Sequence, residues 1–357
     1  MKESVTEVSL SEALLPSLAM PQRPKIPKLT RLLQSLFCDT LQFATVAIIP
    51  LVFIAGVFPA AAEEGGSGHY LPGSMASFVD SVPPAETFIL RYNLLHYKGD
   101  YNRGKPLPIA GISAAGVDAE SWAHGLTLLW RPPLELGEGL SYAMSATIPF
   151  VWMDVSATVT ADGVGTYRRT DNKSGLGDIV IMPVMLNYTI TPDLSTNFRL
   201  GIYAPTGSYE VGRLANTGKN FWTFEPTIGL MYFGQKNGRE ATLFAGVDFN
   251  TENNDTDYKS GTQLHFDGTL AQHFPLWGGL AGAGLAGYWY KQVTGDSGSG
   301  ANFGDFKGKT VGIGPVASYV SKVEGKDVIA ELKWLHETDT ERRLEGDIIW
   351  FKAVVKF

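Results

Sequence analysis

Ile348-Ile349-Trp350-Phe351-Lys352-Ala353-Val354-Val355-Lys356-Phe357 closes the chain, and its reading decides the fold. At period two, Ile349, Phe351, Ala353, Val355 and Phe357 share one wholly apolar face, while Ile348, Trp350, Lys352, Val354 and Lys356 share a face with two lysines. This is a strand with one oily side and one partly wet side, running to an aromatic end without a cap. In water such an edge invites aggregation. In a closed transmembrane barrel the oily face meets lipid and both edges are paired. The competing reading is an ordinary sandwich strand, and the rest of the chain decides between them.

Upstream, the same alternation recurs. Beyond Pro84 the sequence supports about twelve strands, at 86–97, 121–131, 139–152, 177–190, 194–205, 220–233, 239–250, 260–273, 278–292, 309–321, 326–337 and 345–357. Connections after the even strands are short, as at Thr191 to Asp193 and Lys322 to Gly325; after the odd strands most are longer and more polar, as at Lys98 to Glu120 and Met153 to Leu176. Alternating short and long connections are the two-sidedness of an outer-membrane barrel, with tight periplasmic turns and larger outer loops. An even strand count places both ends of the barrel in the periplasm. The faces sort accordingly: Ala241, Leu243, Ala245, Val247 and Phe249 point to lipid, against Thr242, Phe244, Gly246, Asp248 and Asn250 inside. The expected fold is therefore all-β, a transmembrane antiparallel up-and-down β-barrel over 85–357.

Composition agrees. With 40 glycines, 18% charged residues and 44% hydrophobic residues in 357, the chain is too polar for helical spans and rich in turn formers. A net charge of −7 excludes a nucleic-acid partner, which needs a basic face.

Residues 1–62 read as a signal peptide: Arg23, Lys25, Lys28 and Arg31 precede an apolar run from Phe43 to Phe58, with Ala60-Ala61-Ala62 as the cleavage site. The leader is unusually long, so either it is extended or translation starts at Met20. A membrane anchor competes, but the run is short and broken by Pro50. Its removal also takes away Cys38, the single cysteine. Residues 63–84 form a Gly-, Ser- and Pro-rich segment whose Tyr70, Leu71, Met75, Phe78 and Val79 need cover. It is either a linker or a periplasmic or lumenal element; His69, Tyr70, Pro72 and Gly73 are then plug candidates. Strand 278–292, rich in glycine, offers a wall for its close approach.

The predicted lumenal set is Arg91, Arg199, Glu225, Asp248, His265, Asp267, Glu331, Lys333 and Lys352. Ion pairs among them could hold a narrow barrel together, but a twelve-stranded barrel is wider than side chains alone fill, leaving room for water, a plug or substrate. None of the six histidines, His69, His96, His124, His265, His273 and His336, has a partner at zinc-site spacing, so no metal or cofactor is expected. His265 with Asp267 is the nearest approach to a catalytic pair, and it lacks a nucleophile. No catalytic residue is assigned; a lipid-acting barrel enzyme and a barrel without transport are the alternatives to a conduit.

Gly68-His69-Tyr70-Leu71-Pro72-Gly73, Pro83-Pro84 before the first strand, Ser174-Gly175-Leu176-Gly177-Asp178 before the fourth, and the terminal Phe357, in that order, resemble a family of bacterial outer-membrane proteins described as components of the meta-pathway of phenol degradation. Ala85 stands where members often carry glycine, and the long leader departs from the family's pattern. The resemblance implies residence in the outer membrane of a Gram-negative cell and passive uptake of small hydrophobic, including aromatic, compounds. It also implies that Phe357 is an assembly signal for the outer-membrane insertion machinery, with the lipid bilayer as the standing partner.

Overall fold

The structure is a computed structural model and describes residues 66–102, 106–134, 136–161, 165–301 and 307–357. The expected leader, with Cys38, and the start of the 63–84 segment lie outside the described residues. Strands follow in the order β1 Thr87–Tyr101, β2 Leu107–Ile109, β3 Ile112–Arg131, β4 Leu140–Ala161, β5 Gly165–Leu176, β6 Ile179–Thr191, β7 Leu194–Ala204, β8 Thr223–Phe233, β9 Arg239–Asn250, β10 Gln263–Leu276, β11 Gly279–Gln292, β12 Lys309–Val323, β13 Lys326–Glu341 and β14 Glu345–Lys356. All pairings are antiparallel, and the twelve strands other than β2 and β5 close a ring through β14–β1–β3–β4–β6. At the seam Phe357 N donates to Phe88 O at 3.0 Å, and Thr87 Oγ1 donates to Phe357 O at 2.7 Å. Among the described residues no helix is long and apolar enough to cross a membrane; the strands do the crossing.

The expected faces hold. Ile348, Trp350, Lys352 and Val354 are buried, while Ile349 and Phe357 are exposed. In β9 Thr242, Phe244, Asp248 and Asn250 are buried against exposed Leu243 and Phe249. Turn chemistry fixes the register at the short end. Trp277-Gly278 and Glu324-Gly325 both take positive φ at two consecutive positions, the geometry whose twist matches a two-residue hairpin.

Two rungs mark where lipid ends. In register across five strands lie Trp334, Ile349, His96, Trp122 and Trp152, all outward-facing. One step further out the same strands carry His336, Asp347, Lys98, Glu120 and Asp154, a rung without an apolar side chain. Aromatic rings below and charges above are the signature of a membrane interface. Toward the turn side Phe88 stacks on Trp130 at 5.8 Å. The eight-residue step from Phe88 to His96 spans roughly 26 Å along the strand, enough to cross an outer membrane once tilted. The barrel is thus an outer-membrane barrel.

Three expectations change in detail. The stretch 153–176 is mostly strand: β4 runs to Ala161, and β5 pairs with its outer half in register from Phe150↔Leu176 to Ala161↔Gly165. Likewise much of 98–120 is the outer ends of β1 and β3 plus β2. These extensions lie beyond the charged rung, where no lipid imposes an oily outer face; β5 shows no apolar alternation, while β4 keeps Val155, Ala157 and Val159 on a buried inner face. They pack a small apolar cap of Tyr101, Leu107, Ile109, Val117, Val155, Val159 and Leu214.

The third concerns the chain's path before β1. Gly66 lies against Leu107 and Arg343 at the outer end, Tyr70 against Tyr290, Met75 against Phe244, and Val82 beside Ile89 at the turn side. The barrel begins and ends at the turn side as expected, but the segment ahead of it threads the lumen from the outer mouth down.

The plugged lumen and its cavity

Residues 66–84 are held along their whole length. His69 sits between Asp178 Oδ2 at 2.9 Å and Thr223 Oγ1 at 2.7 Å. Tyr70 stacks on His265 with centroids 4.0 Å apart, and its hydroxyl donates to both oxygens of Asp267, at 3.0 and 2.9 Å. Gly73 N donates to Asp267 Oδ1 at 2.8 Å. The carbonyls of the next turn accept from β13 and β14: Trp350 Nε1 donates to Pro72 O at 2.8 Å, Lys333 Nζ to Gly73 O at 3.1 Å and Lys352 Nζ to Ser74 O at 2.7 Å. Gly73 has φ +75°, and a Cβ there would stand 2.5 Å from Leu335 Cδ1, so glycine is required on both counts.

The foot of the segment is a 3₁₀ turn, Phe78–Asp80. Asp80, fully buried, receives Lys352 Nζ at 2.8 and 2.9 Å and Arg91 Nη1 at 3.0 Å, while Arg199 donates to its main-chain oxygen. Phe78 N donates to Glu240 Oε1 at 2.8 Å, and its ring meets His273 edge-on. A buried carboxylate with two cations and ordered main-chain donors is a strong latch, because removing either side leaves a bare charge in a dry site.

All nine lumenal candidates face inward. Eight are at most 2% exposed and Arg91 is half-buried. They sort into two groups. Glu225, Asp248 and Asp267 surround His265, whose Nε2 is 3.3 Å from Glu225 and whose Nδ1 is 3.2 Å from Asp267. Arg91, Arg199, Lys333 and Lys352 gather about Asp80 and Glu331, with Lys333 Nζ 3.1 Å from Glu331. Of the plug candidates, Pro72 contributes its carbonyl and the other three make the contacts above. The residue that sequence reading missed is Asp80. It stands among Val79, Ser81 and Val82, and although the amides of Ala76 and Ser77 reach it locally, its cationic partners Arg91 and Lys352 are 11 and 272 residues away.

The wall expected to receive the segment does so, for a different reason. Tyr70 meets Tyr288 and Tyr290 of β11 rather than the glycines. Gly282 instead makes room for the His273 ring, whose Cε1 would lie 2.5 Å from a Cβ there. His96, His124 and His336 face outward, so histidine marks the interface as well as the lumen.

As for metals, Glu225, Asp248 and His265 come together from three strands, with their ligand atoms within 4.8 Å of one another. Among the described residues this is the group with donors close enough to hold an ion. His265 lies against three carboxylates and the Tyr70 ring.

Beside the segment lies a cavity of about 340 Å³, within the size range of small-molecule sites. It reaches from Glu120, Lys219 and Arg343 at the outer rim down to Leu129, Met182 and Met185. The walls between are largely apolar, with Leu71 and Met75 on the plug facing Leu95, Ala123 and Val151 on the barrel. Val79, Val82, Ile89, Ala143 and Val354 pack below and close it.

Comparison with known proteins adds a family and a fold. Residues 102–353 match the family described as "Putative MetA-pathway of phenol degradation". A crystal structure of an outer membrane channel from Pseudomonas putida F1 superposes with a TM-score of 0.57 at 16% identity, covering 77% of this chain and 97% of that one. The β-domain of the Bordetella autotransporter BrkA gives a TM-score of 0.41 at 12% identity, covering 76% and 99%. A FadL homologue of Pseudomonas aeruginosa gives 0.37 at 11%, covering 85% and 98%. No curated protein sequence matches.

Proposed function

The chain belongs to the phenol-degradation family matched over residues 102–353, and from that premise we propose that it is an outer-membrane channel for passive uptake of small hydrophobic, including aromatic, compounds through a partly plugged lumen. The observation that carries the proposal is the cavity. A barrel whose interior served only to brace it would close its core, whereas here an apolar space open to the outer rim is kept beside a well-ordered plug. Water-filled porins line their lumen with charge. This one presents methionine and aliphatic side chains to whatever enters, which suits a ligand leaving water for an oily site.

The plug gives the route its resistance. For a molecule to leave the cavity toward the periplasm, the foot at Phe78–Asp80 must shift, since Val79 and Val82 close the floor. Uptake of aromatic hydrocarbons by a deletion strain, set against its complemented parent, tests the reading. Unchanged uptake for every compound tried would remove it.

Two further parts of the proposal concern delivery. Residues 1–62 act as the signal peptide, and exposed Phe357 at the turn-side rim, with Lys326 Nζ 4.6 Å from its ring centroid, is the handle for the insertion machinery. Removing Phe357 is expected to lower the amount of heat-modifiable barrel in the outer membrane without altering the conductance of molecules that do assemble. Equal surface levels with and without Phe357 would contradict this.

A further inference from the structure

Below its charged outer rim the cavity is apolar, with Arg91 and Arg199 near its floor, and its rungs can be followed in register. Tyr97, Ser121 and Met153 stand near the mouth, then Leu95, Ala123 and Val151, then Asn93 with Gly125, and then Arg91, Thr127 and Thr147. Below that lie Leu129 and Met182. A molecule entering from outside therefore crosses an oily stretch and meets a polar rung just above the floor.

That rung is made of donors. Asn93 Nδ2 donates to Thr127 Oγ1 at 3.0 Å, and the Thr127 and Thr147 hydroxyls are 2.7 Å apart. Arg91 gives Nη1 to Asp80 and Nη2 to Val79 O, while its Nε is buried without an acceptor. Arg199, the other charged residue at this depth of the lining, has only uncharged acceptors. These are Asn197 Oδ1 at 2.6 Å, Met75 Sδ at 3.7 Å and the main-chain oxygen of Asp80, with the guanidinium 4.8 Å above the Phe244 ring. The carboxylates that line the cavity, Glu120, Asp178 and Glu337, are engaged by His96 and Lys98, by His69, and by Tyr97 and Tyr288, while Glu225, Asp248, Asp267 and Glu331 do not line it. Of the two charged groups described above, the cavity therefore opens on the basic one.

We propose that the cavity selects a small apolar molecule bearing one anionic group, a carboxylate or a comparable oxyanion. Its apolar body lies against Leu71, Leu95, Ala123 and Val151, and its anionic end meets Arg91, Arg199 and the Asn93–Thr127 rung. Guanidinium groups and hydroxyls in a water-poor pocket match a carboxylate better than a neutral acceptor, since charge-assisted hydrogen bonds are about twice as strong. The volume suits a molecule of one or two rings. This inference rests on the uptake reading and narrows it, making Arg91 the residue that sets specificity.

The test is calorimetric titration of the barrel in lipid nanodiscs, with empty nanodiscs as blank, using phenylacetate and the near-isosteric neutral phenylacetamide. Phenylacetate is expected to bind roughly tenfold tighter. That preference is expected to vanish in Arg91→Gln and to persist in Arg91→Lys, which keeps a cation at the floor and leaves Asp80 in place. Should Arg91→Gln fail to give a heat-modifiable barrel, Thr127→Val is the second variant, expected to lower the preference about threefold. Equal affinity for the two ligands would overturn the anionic selectivity while leaving a hydrophobic binding site standing. Loss of the preference in Arg91→Lys as well would overturn the assignment to the charge of Arg91. Failure of both ligands to bind would overturn this inference and the uptake reading beneath it.

Discussion

The two sides of the lumen are built on opposite principles. On the β8 to β14 side the segment is packed closely: Tyr70 lies on His265 and Tyr290, Met75 on Phe244 and Met231, and Phe78 on His273, with ion pairs in between. On the β1 to β6 side the wall is made of smaller residues, Ala119, Ala123, Gly125, Thr127 and Thr147, and a cavity is left. The difference shows how one short segment can both seal a barrel and furnish it. Its filled side supplies the binding energy that holds the plug, and its other side becomes the wall of a site.

The largest expected effect comes from removing that shared wall. Deleting residues 65–80 should raise single-channel conductance several-fold and loosen selectivity, while the barrel stays heat-modifiable, because no ladder hydrogen bond is lost. An unchanged conductance in the same lipid and salt would mean the filled side is sealed by barrel side chains alone. Next comes Tyr70→Ala, which removes a buried ring and two hydrogen bonds to Asp267. A loss of about 3 kcal/mol is expected in the stability of the docked plug, read as frequent opening in current traces. Quiet traces would place the anchoring elsewhere.

Val151→Trp acts on the open side only. Filling the cavity should cut uptake of hydrophobic substrate at least severalfold, with the plug and the melting behaviour unaltered. Uptake at the parental rate would show that substrate does not use this space. The smallest effect belongs to the outer cap, where hydrogen bonds from Arg213 hold the Asp171 carboxyl below its usual range, helped by the amides of Leu214 and Ala215 and opposed by partial burial. Because the folded value is depressed, the tie contributes fully above the ordinary carboxylate pKa and is lost as pH falls through the lower folded value. Proteolysis within 205–222 should therefore be constant from neutral pH down to the ordinary range and rise below it. Asp171→Asn should remove that step, and a step kept by the variant would assign it to another group.

Much of the ring was legible because lipid imposes a rule on sequence. Where one face must be oily, as in β9, β13 and β14, alternation gave the strands to within a few residues. Where lipid ends, the rule lapses, and Gly165-Thr166-Tyr167-Arg168-Arg169-Thr170 of β5 reads as a loop although it pairs residue for residue with β4. The lumenal residues were legible by parity alone. Their partners were not, since Tyr70 and Asp267 are 197 positions apart and nothing local links them. The same holds for the metal-competent trio, in which Glu225, Asp248 and His265 sit on three different strands.

The plug is also covalently part of what it plugs. Six residues, Ser81 to Glu86, join its foot to β1, and the rings of Pro83 and Pro84 restrict the joint's swing. A displaced plug therefore never dilutes away. It competes for the lumen at an effective concentration on the order of millimolar, so any ligand that must push it aside shows an apparent affinity weakened by that standing competitor. A free peptide spanning residues 66–82, added to the plug-deleted barrel, should restore the low conductance only near that concentration, and restoration at micromolar peptide would mean that the tether holds the plug back rather than in place.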